Sequence, residues 1–281
     1  MSLAATLLSS ARRYRGVSGR ALARQTASSQ AGLVGVENGS ADATIERLDR
    51  ILRALDYQVV ALPTRLGTAS DAEGKNRIII IPGANNSTDP AVAETAVREF
   101  APAIVVGELE IPQHVTLAAF RAARAAGITT LLNPAPAAEL DPDLLAATDW
   151  LAPNETEFAT IFGGEPRGDG AVARIKAAAA KSGAKLVVTL GSAGAVIAIP
   201  GEELINIAAP EAKVIDTTGA GDAFLGAFAF GLASGLTPVE AAKLSVACAS
   251  ASVERLGTQS SYLSREDAAA LAAPYLAKRS S

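Results

Sequence analysis

The chain has 281 residues, 49% of them hydrophobic but only 4% aromatic, and a formal net charge of −4. Its apolar residues are chiefly Ala, Val, Leu and Ile, which fits a well-cored α/β protein, and no apolar run reaches the ~18 residues that a membrane-spanning helix needs. The single Cys248 excludes an internal disulfide and a cysteine-based zinc cluster, and its Ala/Ser-rich surroundings read as a small buried position.

Taken in chain order, Met1 to Arg15 is rich in arginine and poor in acids, as targeting peptides are. It continues into patterned helices and is read as a first folded helix of a cytoplasmic protein. Helices are expected at Leu3–Tyr14, Gly19–Gln25, Gln30–Glu37 and Thr44–Leu55. The third is closed by Asn38-Gly39, and Ser29 is its candidate N-cap. The fourth carries Ile45, Leu48, Ile51, Leu52 and Leu55 at helical spacing. Residues 1–65 hold nine arginines and five acids, a charge of +4, which leaves −8 for the remainder. A basic head on an acidic body implies that only the head meets a polyanion.

The phrases Ala21-Leu-Ala-Arg24, Ser29-Gln30, Val36-Glu-Asn-Gly39 and Ile51-Leu-Arg-Ala-Leu55 resemble the Xre/Cro-type helix-turn-helix over residues 3–62. In that family the third helix enters the major groove. The resemblance implies DNA binding in which Arg12, Arg13, Arg20 and Arg24 meet phosphates and Gln30 offers the one base contact. A docking or dimerisation module is the alternative for the same segment.

From residue 66 strands alternate with helices, so Leu66–Lys75 is the boundary between a domain at 1–65 and another at 66–281. The pattern predicts an α/β fold with a mostly parallel sheet covered on both faces. Strands are expected at Arg77–Ile81, Ala103–Val106, Thr129–Leu132, Trp150–Ala152, Lys185–Thr189, Ala195–Ile199 and Lys213–Ile215. Helices fit at 90–99, 113–126, 155–161, 168–182, 222–234, 237–255 and 264–277. Ligands sit at the carboxyl ends of such strands, and polar motifs recur there. They are Glu108 and Glu110, Asn133-Pro-Ala-Pro136, Asn154-Glu-Thr-Glu157, Thr189-Leu-Gly-Ser-Ala-Gly194, and Asp216-Thr-Thr-Gly-Ala-Gly-Asp222.

The last motif is the most informative. A glycine-rich turn opening an apolar helix leaves backbone N–H groups pointing outward at the positive end of the helix dipole, which makes an anion site. Asp222 stands at its mouth, where a carboxylate can take a proton from a hydroxyl. A cradle plus a base is what phosphoryl transfer to an alcohol requires.

The order of these motifs resembles the ribokinase (PfkB) family of sugar and nucleoside kinases from about Ala72 to Ala272. The carrying phrases are Asp216–Asp222 with Ala223-Phe224, Pro82-Gly-Ala-Asn85, Leu109-Glu110, Asn133–Pro136 and Asn154–Glu157. The resemblance implies a layered α/β/α fold and an ATP-dependent kinase acting on the primary hydroxyl of ribose or a related sugar. Asp222 would be the base, with Gly219, Ala220 and Gly221 as the anion hole and Glu110 touching the sugar. Asn154 would reach the nucleotide phosphates, and Glu157 would organise Mg2+ through water. Thr189, Gly191 and Gly194 would line the ATP site, with Ser245 flanking the adenine. Asp216, Thr218, Ser252, Gly257 and Ser261 match loops that hold an activating K+. The family's early βαβ region, with its sugar loop and most of a lid, finds no match in this chain. That implies a weakened acceptor side, and an apolar sheet edge that invites pairing with a second copy. The competing whole-chain reading is a regulator in which a kinase-derived domain senses sugar or nucleotide.

Plainer readings stand beside these. Glu157 could be a first-turn helix acid, Asn133 a turn former before Pro134, and His114 a solvated surface residue.

Overall fold

The computed structural model describes residues 18, 21, 22, 24 and 83–277. The chain divides into two compact units, Met1–Ser87 and Thr88–Ser281. In the first, Ala21, Leu22 and Arg24 are helical, and Ser18 caps them, its hydroxyl accepting from the Ala21 N–H at 3.1 Å. Leu22 is buried and Arg24 exposed. Arg12, Arg13, Arg20 and Gln30 lie outside the described residues, as do the other expected N-terminal helices, the Leu66–Lys75 boundary and the strand expected at Arg77–Ile81. A short 3-10 turn covers Gly83–Ser87.

The second unit is built on a six-stranded sheet in sequence order: β1 (Ile104–Gly107), β2 (Thr129–Leu132), β3 (Trp150–Leu151), β4 (Lys185–Thr189), β5 (Ala195–Ala198) and β6 (Ile205–Ile207). β1 to β4 pair in parallel, and β5 and β6 add as antiparallel neighbours. The eight described helices of this unit are α1 (Pro90–Phe100), α2 (Gln113–Ala125), α3 (Pro142–Ala146), α4 (Glu155–Phe162), α5 (Ala171–Ser182), α6 (Ala220–Ala233), α7 (Pro238–Ser252) and α8 (Arg265–Leu276). None is long and apolar enough to cross a membrane.

Both faces of the sheet are covered because successive strand residues are apolar. Leu131, Val187, Ala195 and Ile197 point into a cluster with Phe224, Phe228 and Leu244 of α6 and α7. Their neighbours Leu132, Leu186, Val188 and Val196 point the other way, onto Phe120, Leu144, Phe158 and Ile175 of α2 to α5. The result is three layers, helix on sheet on helix. Phe228 is wholly buried and meets Trp150 edge-on at 5.2 Å and Phe224 in a stack at 6.1 Å. Burying a side chain of that size stabilises by about 1.5–3 kcal/mol, and it fixes α6 against β3.

Local signals set the helix starts. Pro at the first position follows Asp89 before α1, Asp141 before α3 and Thr237 before α7, each accepting a first-turn N–H. Ser264 does the same for α8. α6, like α5 with Gly170, starts at a glycine, Gly219, and has no side chain to cap its first turn.

The sheet departs from expectation in two places. Lys213–Ile215 is not a strand. The Ile215 and Asp216 N–H groups both donate to the Val253 carbonyl at the end of α7, at 2.7 and 3.2 Å, and Lys213 N–H donates to Glu254. Its Val214 and Ile215 are 61% and 52% exposed, so strand propensity there is overridden by the helix-end carbonyl. The antiparallel strand β6 lies where only loop was expected, because Ile205-Asn206-Ile207 is short and pairs with β5.

Candidate active site

The carboxyl ends of β1 to β4 converge with the N-terminus of α6. Two backbone bonds shape the first part of the rim: Asn133 N–H to the Gly107 carbonyl at 2.9 Å, and Leu109 N–H to the Ala135 carbonyl at 2.8 Å. They hold the loop after β1 against the loop after β2, so Glu108, Glu110 and Asn133 share one surface. The Glu108 carboxyl is pushed above its ordinary range by burial, with the Asp222 and Glu110 charges adding and an Asn133 hydrogen bond partly offsetting. Residues from three separate elements therefore share one electrostatic site.

At α4 the sequence Asn154-Glu-Thr-Glu157 forms a capping box. Asn154 Oδ1 accepts from Glu157 N–H at 2.9 Å, while the Glu157 carboxylate accepts from Asn154 N–H at 2.7 Å and from its Nδ2 at 2.8 Å. Glu157 is only 6% exposed. Burial raises its carboxyl, the Asn154 bond opposes this, and the Glu108 charge adds to the rise. The helix-start role and a place facing the rim thus coexist in one residue. Among the described residues no three His, Cys, Asp or Glu side chains are arranged to hold a metal by themselves.

Raised carboxyls make stability depend on pH. Glu108 binds its proton more readily folded than unfolded, so its contribution is fully present below about pH 4.5, its ordinary value, and is lost as pH rises through its folded value. Glu108→Gln is therefore expected to melt higher than the parent chain at pH 8, with the gap closing towards pH 4.5. Parallel thermal melts across that range check it, and a gap that widens towards acid would contradict the assignment.

The loop before α6 is held by Asp216. One carboxylate oxygen accepts from Thr218 N–H at 3.0 Å and Thr218 Oγ1 at 2.7 Å, and the other from Gly257 N–H at 2.9 Å. These bonds, the Thr218 hydroxyl first, hold its carboxyl below the ordinary range. They also tie the turn at 216–219 to the loop after α7. Ser252, the last residue of α7, and Ser261 in that second loop are buried, their hydroxyls donating to the Ala249 and Thr258 carbonyls at 2.8 and 2.5 Å.

Gly219 has φ +82°, a left-handed conformation that favours glycine. The chain then enters α6 with the Gly221 and Asp222 N–H groups bonded to nothing among the described residues. Of the expected anion-hole residues, Ala220 has its N–H on the Thr217 carbonyl at 3.2 Å, while the Gly219 and Gly221 N–H groups meet no acceptor among the described residues. Asp222 is exposed in the first turn of α6, on the same rim.

The remaining expected residues fall into two groups. Thr189 ends β4, its N–H bonded to the Pro153 carbonyl at 3.0 Å, and Gly191 is exposed in the following turn. Gly194 is buried, with φ +90° and its α-carbon packed on the Ile207–Ala209 backbone, so it shapes the turn. Ser245 is wholly buried, its hydroxyl donating to the Ala241 carbonyl one turn back at 2.7 Å. It presents no surface to a ligand in this structure. Sequence reasoning missed Arg167, which joins Glu155 of α4 to the Leu190 carbonyl beside Gly191. It also missed Tyr262, which lies over Gly219 and whose phenol is raised first by burial and then by the Asp222 charge. Neither belongs to a motif, and only the fold brings them to the rim.

A family profile described as pfkB family carbohydrate kinase matches residues 61–265 of this chain. The chain belongs to that family. Among its pfkB relatives, ribokinase of Lactococcus lactis is 40% identical over 185 residues, 66% of this chain and 59% of that protein. The chain thus spans well under two thirds of that relative's length. The solved structure of Arabidopsis thaliana ribokinase complexed with ribose and ATP superposes at a TM-score of 0.62 with 31% identity, covering 71% of this chain and 66% of that one. Phosphofructokinase-2 of Escherichia coli in complex with potassium superposes at a TM-score of 0.57 with 25% identity, covering 73% of this chain and 68% of that one.

Proposed function

We propose that this pfkB chain is an ATP-dependent kinase that phosphorylates a primary hydroxyl of ribose or a close sugar relative. The observation that carries the reading is the α6 N-terminus: open amides and the Asp222 carboxylate at one mouth, on the rim where Glu108, Glu110 and Asn133 also lie. Amides aimed outward at a helix N-terminus stabilise charge on a transferring phosphoryl group, and an adjacent carboxylate draws the proton from the attacking hydroxyl. The relatives matched along most of the domain, named for ribose and for ATP, support the choice of substrates.

In this reading Asp222 takes the hydroxyl proton, the hydroxyl oxygen bonds to the γ-phosphorus, and ADP leaves. Glu110 binds the sugar. Asn154, Thr189 and Gly191 border the nucleotide, and Gly194 sets the shape of their turn. Mg2+ bound with the nucleotide would screen its phosphates, and Glu157 and Glu108 would hold its water. The oxygen-only set of Asp216, Thr218, Ser252, Gly257 and Ser261 suits a hard monovalent cation such as K+, since the two loops already meet through Asp216. A coupled assay of ADP release, with and without ribose, tests the reading. Ribose is expected to raise the rate at least tenfold over background. An identical rate in both samples would overturn it.

A further inference from the structure

Residues 163–170, between α4 and α5, form a loop that α5 supports from behind. Pro166 is buried while its neighbours are exposed. Arg174, in the first turn of α5, donates through Nε to the Glu165 carbonyl and through Nη2 to the Arg167 carbonyl, both at 2.8 Å. Its side chain runs beside Gly164 and Gly170, where a β-carbon would lie 3.1 Å from it. The backbone on either side of Pro166 is thereby held, and Arg167 leaves it in a set direction.

That direction is towards the rim. The Arg167 guanidinium pairs with the carboxylate of Glu155, which follows Asn154, and donates through Nη2 to the Leu190 carbonyl. A β-carbon on Gly191 would come within 3.9 Å of the same nitrogen. The turn it grips is otherwise thinly held. Thr189 N–H meets the Pro153 carbonyl at its entry, and the bonds that follow are internal: Leu190 N–H to Gly194, Ala193 N–H to Leu190 and Gly194 N–H to Gly191. Gly191, Ser192 and Ala193 are all exposed. Among the described residues, Arg167 is the one side chain bonded to the backbone of this turn.

The two contacts differ in weight. An exposed ion pair such as Arg167–Glu155 contributes little by itself. It holds the planar guanidinium so that a second nitrogen meets the carbonyl, which a fork allows and an ammonium does not. The partly buried bond to Leu190 is the one that restrains the turn. A loose glycine turn must be ordered by each nucleotide that binds, at the expense of affinity, whereas a turn already in place avoids that loss.

We propose that Arg167 is a positioning residue for nucleotide binding: it latches the turn at 190–194 onto α4, so that Gly191 and Asn154 face the nucleotide at a fixed separation. The inference rests on the nucleotide side of the kinase reading and adds a residue to it. Arg167 acts through the turn and needs no contact with the nucleotide. Its loss therefore weakens ATP and ADP alike and leaves the transfer step at saturating ATP intact.

The test uses the full chain with Arg167→Ala and Arg167→Lys. In Arg167→Ala the calorimetric Kd values for Mg-ATP and Mg-ADP are expected to rise by the same factor, about tenfold, as for loss of one charge-assisted hydrogen bond. The KM for ATP should rise with them, while kcat at saturating ATP and the KM for ribose stay within about twofold. Arg167→Lys keeps the charge but cannot hold both partners, and its Kd for Mg-ATP should lie about threefold above the parent. An unchanged Kd in Arg167→Ala would overturn the inference. So would a loss for ATP about tenfold greater than for ADP, which would mark direct contact with the terminal phosphate. Parallel falls in kcat, ribose affinity and melting temperature would also overturn it, marking a residue that only supports the fold. A parent chain that binds Mg-ATP with this dependence on Arg167, yet transfers nothing to ribose, would overturn the kinase reading alone.

Discussion

Asp222→Asn is expected to lower phosphoryl transfer to ribose by a factor of about 10³ while leaving Mg-ATP affinity within about threefold. The amide has the size of the carboxylate, so the loop and the open Gly221 and Asp222 amides should persist. What disappears is the negative charge that draws a proton from the incoming hydroxyl. Binding of nucleotide depends on the amides and on the rim around Asn154 and Gly191, neither of which the change touches. Initial rates from the coupled assay and a calorimetric titration separate the two effects. Transfer at the parental rate would remove Asp222 as the base. A matching loss of nucleotide affinity would point to collapse of the loop instead.

Gly194→Ala is expected to destabilise the domain by about 3 kcal/mol or more, the largest effect of a single methyl group in this structure. A β-carbon at 194 would lie 2.0 Å from the Ile207 carbonyl oxygen and 2.7 Å from the Ala209 nitrogen. Both are backbone atoms of β6 and its exit, and they cannot swing aside as a side chain can. The left-handed φ of +90° adds strain of order 1–3 kcal/mol for any residue with a β-carbon. Gly201→Ala serves as the control, since its φ is +82° but a β-carbon there meets nothing within 4 Å. Chemical denaturation of the two variants separates strain from collision. Equal, small losses in both would mean that β6 moves away at little cost. The turn that Gly194 shapes also carries Gly191, so reduced nucleotide affinity should accompany the loss of stability.

These two positions show what the sequence discloses and what it does not. Asp222 is legible because a glycine-rich turn and an apolar helix have a local meaning: together they expose amides whatever else the chain does. The parallel strands β2 and β4 are legible at their bounds for a similar reason, each being a short apolar run between helical patterns. Lys213–Ile215 has the same composition, yet its Ile215 N–H is taken by the Val253 carbonyl and its Lys213 N–H by Glu254, partners about forty residues away that no window of sequence displays. Gly194 is visible as a glycine, but its reason lies in the backbone of β6, a strand too short for periodicity to reveal. Ser245 was expected to flank the adenine only through the family resemblance; within α7 its hydroxyl turns back on the helix and the residue is buried. Ala220 shows the limit of a motif reading, since the motif implies open amides without saying which one the preceding Thr217 carbonyl will claim. Tyr262 and Arg167 join the rim through tertiary placement alone, whereas Glu108 was among the polar residues expected at the strands' carboxyl ends. The family resemblance over the body of the chain agrees with the pfkB profile match at residues 61–265, and the helix-turn-helix phrases fall almost entirely outside the described residues.

The central claim is that the α6 turn grips a terminal phosphate while Asp222 directs it to a sugar hydroxyl rather than to water. A phosphorus NMR time course of the full chain with Mg-ATP and ribose reads this directly. A sugar phosphomonoester signal growing in step with ADP, and absent from a parallel Asp222→Asn sample, is the expected result. ADP accompanied only by inorganic phosphate, or no ADP at all, would contradict it.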